Sequence, residues 1–325
     1  MARSALIFGV SGQDGALLAN LLISKGYGVH GTSRDAQLSG FENLMRLGVR
    51  ERVHLHSAAT TDFRSVAQVL SEVQPDEIYL LAGQSSVGLS FGQPVETLES
   101  VAVGALNVLE AIRFLKLETR LYHAGSSECF GDVAEAADEA TAFHPRSPYA
   151  VAKASAHWMV ANYREAYGLY ACTGILFNHE SPFRPSRFVT RKIVSAAVRI
   201  AAGSGERLRL GDLSIERDWG WAPEYVEAMW RMLQARQPAD YVIATGRMHS
   251  LQTFVAMAFD EVGLDWRDHV DFDQTLRRPS DISRSVGNAA KAQAELGWKA
   301  TTSLPQTVAN MVAAERGDPW PMVVR

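Results

Sequence analysis

The sequence predicts an α/β protein built on a doubly wound parallel sheet, with a smaller α/β domain joined to it. Three observations carry this expectation. Short runs rich in β-branched residues alternate with stretches of helical periodicity through the first half of the chain. A glycine-rich turn, "FGVSGQDG", lies between the first such run and the first helical stretch. After "YACTGILFN" the alternation breaks down into loops rich in proline and glycine.

The elements follow in order. "ALIFGV" reads as a strand, and "GALLANLLISKG" spaces its apolar residues three and four apart and stops at Gly26. "GVHGTS", "RVHLHS", "EIYLLAG" and "RLYHAG" are four more short strands. Between the last three lie two helices, "DFRSVAQVLSEVQ" and "VETLESVAVGALNVLEAIRFLK". "RSPYAVAK" opens another, with Ser147 suited to the N-cap and Pro148 to the first helical position. "HESPFRPSRFV" is a loop, and "RKIVSAAVRIAAGSG" a helix ending in glycines. "APEYVEAMWRML" and "YVIATG" bring the chain back to the first sheet, and the tail reads as two helices. The expected division is therefore interleaved. Residues 1–178, with a return at about 217–246, form a dinucleotide-binding domain; 179–216 and 247–325 form the substrate domain.

Bulk properties exclude several classes. With 325 residues, 47% hydrophobic and 21% charged, the chain has ample material for a core. A net charge of -4 argues against nucleic acid or acidic membranes as partners. Cys129 and Cys172 are too few for a disulfide framework or a cysteine zinc site, and are expected as reduced thiols in a cytoplasmic protein. The nine histidines form no H-x-x-x-H pair, so no metal is expected. No leader segment or membrane span is expected.

Chemistry is concentrated in three places. Gly9, Gly12 and Gly15 let the backbone approach a pyrophosphate at a helix N-terminus. Arg34, after the second strand, suits the extra phosphate of NADP, although Asp35 stands beside it; NAD is the alternative. Tyr149 and Lys153 are one helical turn apart, where an ammonium would favour phenolate and equip the phenol for proton exchange. In "YHAGSSECFG" a carboxylate, Glu128, follows two serines at the end of a strand, where active sites of such sheets gather. Trp219, Trp221 and Trp298 are read as packing.

The segments "GVSGQDG", "SSE", "PRSPYAVAK", "NYREAYGLYACTGILFNHESP", "FVTRKI", "RDWG", "DYVIATG" and "LGWK" cover nearly the whole length. Through them the chain resembles the extended short-chain dehydrogenases/reductases, with their Rossmann-type sheet, and among these the GDP-mannose 4,6-dehydratases. "NHESP" and "RDWG" are the most specific matches. The resemblance implies a catalytic set of Ser126, Ser127, Glu128, Tyr149 and Lys153. Tyr149 would act at the C4 hydroxyl, Glu128 as the C5 base, Ser126 at the C4 oxygen and Ser127 at C6. Gln13, Asp14, Leu81 and Ala82 would join the glycines, Arg34, Tyr149 and Lys153 around the cofactor. Ser85, Ser86, Asn178, Val189, Lys192, Arg217 and Arg278 would face the nucleotide sugar. Arginines there suit a dianionic diphosphate.

The implied reaction converts GDP-mannose to its 4-keto-6-deoxy product by internal hydride transfer from C4 to C6, in a homodimer or homotetramer. Two alternatives stand beside it: a dehydratase, epimerase or reductase for a related nucleotide sugar such as a GDP-heptose, and an inactive nucleotide-binding protein. The chain departs from the family pattern at Ala58 and Ala59, where a Gly-Asp pair is usual, at Asp35, and at Phe130 and Asp212.

Overall fold

The computed structural model describes residues 2–276 and 278–320. Its first part runs β1 (Ser4–Phe8), α1 (Gln13–Ser24), β2 (Gly28–Ser33), α2 (Glu42–Arg46), β3 (Val53–Ser57), α3 (Phe63–Val73) and β4 (Glu77–Leu80). It continues with α4 (Val87–Gly92), α5 (Pro94–Leu98), α6 (Gly104–Leu115), β5 (Arg120–Ala124), α7 (Pro148–Tyr167) and β6 (Tyr170–Leu176). Next come β7 (Asn178–Glu180), α8 (Val189–Ala201), β8 (Leu208–Leu210), β9 (Glu216–Trp221), α9 (Ala222–Gln234) and β10 (Tyr241–Ile243). The last elements are β11 (Met248–Ser250), α10 (Leu251–Asp260), β12 (Val270–Phe272), β13 (Arg284–Ser285), α11 (Ala290–Leu296) and α12 (Leu304–Arg316).

Seven parallel strands form the main sheet in the order β10-β6-β5-β4-β1-β2-β3. The order reverses between β1 and β4, which opens a crevice at their carboxyl ends. Side chains alternate across β1 as strand geometry requires. Ala5 and Ile7 meet Leu18, Leu22 and Met229 of α1 and α9, while Leu6 and Phe8 meet Val66, Leu70 and Leu109 of α3 and α6. Both faces are thus covered, and each buried aliphatic side chain contributes about 1.5–3 kcal/mol. The return of the chain through α9 and β10 is present, with β10 completing the sheet beside β6.

A second layer is built from smaller sheets. β9 pairs with β7, β11 and β13, and β8 pairs with β12. Helices α8, α10 and α12 cover them around a core containing Ile193, Trp219, Trp221, Phe254, Phe259 and Met311. Ala292 of α11 and Trp298 belong instead to the core beneath the large sheet, where the Trp298 indole donates to the Glu224 carbonyl at 2.9 Å.

Three local features differ from expectation. The apolar stretch after β4 is not one continuous α-helix. Residues 99–103 between α5 and α6 form a π-helical turn, whose wider winding brings the Ser100 hydroxyl to the Gln84 amide at 3.2 Å. The loop beginning at His179 is ordered at its start, because residues 178–180 pair with β9. Helix α1 also starts earlier, at Gln13 inside the glycine turn.

Candidate active site

The crevice is floored by the turn from β1 to α1. Gly9 has φ +89°, and a Cβ there would lie 2.9 Å from the Ala82 nitrogen. At Gly15 a Cβ would come within 2.2 Å of the Gly9 carbonyl oxygen, so glycine alone permits this close packing. Gly12 is the N-cap of α1 and offers no side-chain partner to the first helical amides. A Cβ at Gly12 would touch only the Gly9 oxygen, at 3.4 Å, and would narrow an otherwise open cradle. A bare cradle at the positive end of a twelve-residue helix fits a pyrophosphate.

The side chains of Gln13 and Asp14 turn inward. Gln13 donates to Asp14 Oδ1 at 2.9 Å and to the His179 carbonyl at 3.2 Å, and accepts from the Ser181 hydroxyl at 2.8 Å. Asp14 Oδ2 meets His179 Nε2 at 2.9 Å. Burial acts to raise the Asp14 carboxyl, but His179 and Gln13 outweigh it and hold it below its ordinary value. Burial likewise acts to lower His179, and the Asp14 carboxylate raises it overall. These two side chains therefore fasten α1 to β7. Leu81 and Ala82 follow β4 directly across from Gly9, the Leu81 amide donating to the Phe8 carbonyl at 3.0 Å.

Arg34 is exposed just beyond β2. Asp35 is committed to its own turn, its Oδ1 accepting from the Gln37 and Leu38 amides at 2.9 and 3.0 Å. No ion pair joins it to Arg34 among the described residues, and the arginine faces solvent where an anion can reach it. Ala58 continues β3 by donating to the Ser33 carbonyl at 2.9 Å and has no side chain to offer a ligand.

At the carboxyl end of β5 the buried Ser126 caps a short 3-10 turn over residues 127–130, accepting from the Glu128 amide at 3.3 Å. Ser127 is buried and Glu128 half-buried. Burial raises the Glu128 carboxyl; Arg217 and Arg278 pull it down, Asp281 and Asp132 push it up, and the net shift is upward. Helix α7 brings Tyr149 and Lys153 to the same place, its start fixed by the Ser147 hydroxyl accepting from the Ala150 amide at 3.1 Å.

Lys153 Nζ donates to the Ala124 carbonyl at 2.7 Å and lies 5.8 Å from the Tyr149 ring centre. Burial lowers the Lys153 ammonium to about 8. The expectation that this ammonium lowers the Tyr149 phenol is not met. Burial pushes the phenol up, and the strongest opposing influence is a hydrogen bond from Ser126. The reason is burial of the phenol, with the Lys153 ammonium committed to the Ala124 carbonyl at the end of β5.

Arg217, buried in β9, donates to the carbonyls of Glu216 and Ser283 at 3.0 and 3.5 Å. Its Nη2 lies 3.2 Å from Asp281 Oδ1, and Arg278 Nη1 lies 3.3 Å from the same oxygen. Both arginines are felt by Glu128, so the structure gathers a cationic flank beside that carboxylate. Asn178 opens β7 opposite Trp219, two strand positions from Arg217. Ser85 accepts from the Arg187 guanidinium at 3.4 Å, and Ser86 caps α4 through the Leu89 amide at 3.3 Å.

Val189 and Lys192 stand apart from the carboxylate and phenol. Val189 begins α8 against the second core, and Lys192 Nζ donates to the Arg209 carbonyl at 2.7 Å. Near them a cavity of about 330 Å³ is lined by Gly211, Asp212, Leu213, Ser214, Phe272, Asp273 and Gln274. Among the described residues, no group of three or more His, Cys, Asp or Glu side chains is arranged to hold a metal ion.

Sequence reasoning missed three groups at the site. Asp281 bridges the two arginines, and its signal was an acid three residues after Arg278. Arg184 and Arg187 sit on the loop after "NHESP", whose sequence shows only a proline-containing connection. Arg184 lies over the Phe188 ring at 3.9 Å and its charge lowers both Asp14 and Tyr149.

A switch-point crevice with a glycine cradle and a tyrosine–lysine pair on the helix after β5 is the arrangement of an extended short-chain dehydrogenase/reductase. Solved structures share the fold. One is the dTDP-glucose 4,6-dehydratase DesIV of Streptomyces venezuelae with NAD and TYD bound, at TM-score 0.87 and 21% identity, covering 97% of each chain. Another is RMD from Pseudomonas aeruginosa complexed with NADPH, at TM-score 0.80 and 23% identity, covering 98% of each. In sequence, GDP-mannose 4,6 dehydratase 1 of Arabidopsis thaliana is 46% identical over 320 residues, 95% of this chain and 89% of that one. The family model for GDP-mannose 4,6 dehydratase matches residues 6–311. The chain belongs to the GDP-mannose 4,6-dehydratase family.

Proposed function

We propose that this protein is a lyase that removes water from GDP-mannose to give GDP-4-keto-6-deoxymannose. The observation that carries the reading is Glu128, a carboxyl raised by burial at the end of β5, with Arg217 and Arg278 near enough to oppose that rise and Tyr149 near enough to feel its charge. A simple reductase or epimerase on this framework has no use for that carboxylate.

The chemistry follows from these positions. Tyr149 accepts the C4 hydroxyl proton, with the buried Ser126 hydroxyl and the Arg184 charge favouring the phenolate against burial and the Cys129 and Glu128 charges. Lys153, one turn along α7 and held by the Ala124 carbonyl, would bond the cofactor ribose. When bound in the glycine cradle, a nicotinamide cofactor would supply the hydride chemistry, storage from C4 and return to C6, while the residues of this chain move the protons. Oxidation at C4 acidifies the C5 proton, which Glu128 removes; its raised pKa makes it a stronger base than an ordinary carboxylate. Glu128 then returns that proton to the departing C6 hydroxyl, which Ser127 orients, and water leaves. A proton from Tyr149 restores C5. The sum is loss of one water without net oxidation.

Arg217 and Arg278 hold the diphosphate, Asn178, Ser85 and Ser86 the sugar, and Val189 and Lys192 the nucleotide end. Gly9, Gly12, Gly15 and the first amides of α1 cradle the cofactor pyrophosphate, with Leu81 and Ala82 alongside. We assign NADP in preference to NAD because Arg34 is exposed and Asp35 is occupied by its own turn. Homodimeric or homotetrameric assembly is supported by Val95, Leu98, Val103, Val151 and Trp158, which are exposed on α5, the π-helical turn after it and α7. A cytoplasmic site of action is supported by two buried, unpaired cysteines. None of the described helices is long and apolar enough to cross a membrane.

Incubation with GDP-mannose and a trace of NADP+, followed by mass spectrometry, tests the assignment. A product lighter by one water, with no stoichiometric consumption of cofactor, is the expected result. An unchanged sugar nucleotide would overturn it.

A further inference from the structure

We propose that Gln84 is the positioning residue of the sugar-side loop, latching residues 84–86 onto the π-helical turn between α5 and α6. The proposal rests on the reading above that Ser85 and Ser86 face the sugar. None of residues 83–89 is buried, so this loop has no apolar anchor of its own. Its order must come from hydrogen bonds, and Gln84 supplies most of them. The Gln84 Nε2 donates to the Ser86 carbonyl at 2.9 Å and to Thr97 Oγ1 at 3.1 Å. Its Oε1 accepts from the Ser86 amide, which closes the loop on itself.

The anchor at the other end is firm. Thr97 is fully buried, and its hydroxyl proton is committed to the Gln93 carbonyl at 2.7 Å. Its oxygen therefore presents a lone pair to Gln84. One turn further on, Ser100 accepts from the Gln84 amide at 3.2 Å. Gly83 lets the chain lie against this turn: its φ is +134°, and a Cβ would stand 3.1 Å from Val101 Cγ2 and 3.3 Å from the Ser100 carbonyl oxygen. The π-helical turn packs on α7, the helix of Tyr149 and Lys153. The latch thus sets the sugar loop relative to the catalytic helix directly, and not only through the exit from β4.

The test compares Gln84→Leu, Thr97→Val and Thr97→Ser with the parent protein. KM for GDP-mannose is expected to rise about tenfold in the first two and to stay near the parent value in Thr97→Ser, which keeps the hydroxyl. kcat and the affinity for NADP should stay within about twofold in all three. Hydrogen exchange at residues 84–86 of the ligand-free protein should quicken about tenfold in Gln84→Leu and Thr97→Val. Unchanged exchange would overturn the latch, and faster exchange with unchanged KM would overturn its role in placing substrate. If the parent protein leaves GDP-mannose intact, the assigned reaction fails; the latch then stands or falls on exchange alone.

Discussion

Asp14, the second residue of α1, pairs with His179 of β7 at 2.9 Å, so the phosphate turn and the strand that presents Asn178 are one mechanical unit. Tyr225 of α9 completes it, stacking on the His179 ring at 4.5 Å between centres. His179→Asn should cost about 3 kcal/mol at pH 6, because it leaves Asp14 without its cation. The sign of the pH dependence follows from both partners. His179 is raised on folding, so its contribution is complete below its unfolded value and fades as pH climbs through the folded one. Asp14 is lowered, so its contribution is present above its unfolded value and is lost as pH falls through the folded one. Urea unfolding between pH 6 and 9 should show the parent losing more stability than His179→Asn; parallel slopes would contradict the pairing.

Glu128→Gln keeps the shape of the side chain and removes the base. Water loss should slow by about 10²–10⁴-fold, measured by mass spectrometry of quenched reactions, while GDP binding is retained. Full dehydratase activity in this variant would remove Glu128 from the reaction.

The pH–rate profile should carry the imprint of two groups. Glu128 must be ionised, and its upward shift places the acid limb above the ordinary carboxylate range. Lys153 must be charged, which places the alkaline limb near its lowered value of about 8. Asp281→Asn takes away a negative neighbour of Glu128 and should move the acid limb to lower pH without moving the alkaline one. An acid limb that stays in place would show that Glu128 does not set it.

Arg34→Ser should weaken NADP binding about tenfold and leave NAD binding unchanged, since only the former carries the phosphate that the guanidinium can hold. Titration calorimetry with each nucleotide separates the cases. Equal losses for both would mean that Arg34 touches the adenosine and not a phosphate.

Much of this architecture was legible because it is written locally. The β1 turn needs glycine at 9 and 15 for steric reasons that any reading of the motif recovers. Tyr149 and Lys153 share a helix face through simple periodicity, and "NHESP" and "RDWG" carried the family. What escaped was tertiary. Nothing local tells that Lys153 turns to the Ala124 carbonyl, or that burial raises the Tyr149 phenol. Asp281 meets Arg217 across 64 residues, a separation that spacing rules do not reach. The smaller strands β7, β8, β12 and β13 have only two or three residues each and exist because partners present edges to them.

The late arrival of β10 has a consequence for the nascent chain. β6 ends at Leu176, yet the strand that covers its outer edge begins only at Tyr241. A ribosome takes roughly 3–13 s to make that interval. Through it the growing polypeptide carries a nearly finished sheet with an unpaired, apolar border, the kind of border on which chains stick to one another. Asp240, just ahead of β10, is the ion-pair partner of Arg164 at 2.8 Å and accepts from the Thr173 amide at 2.7 Å. Its delivery closes the border with charge as well as backbone, so chains truncated before it are the ones that should aggregate.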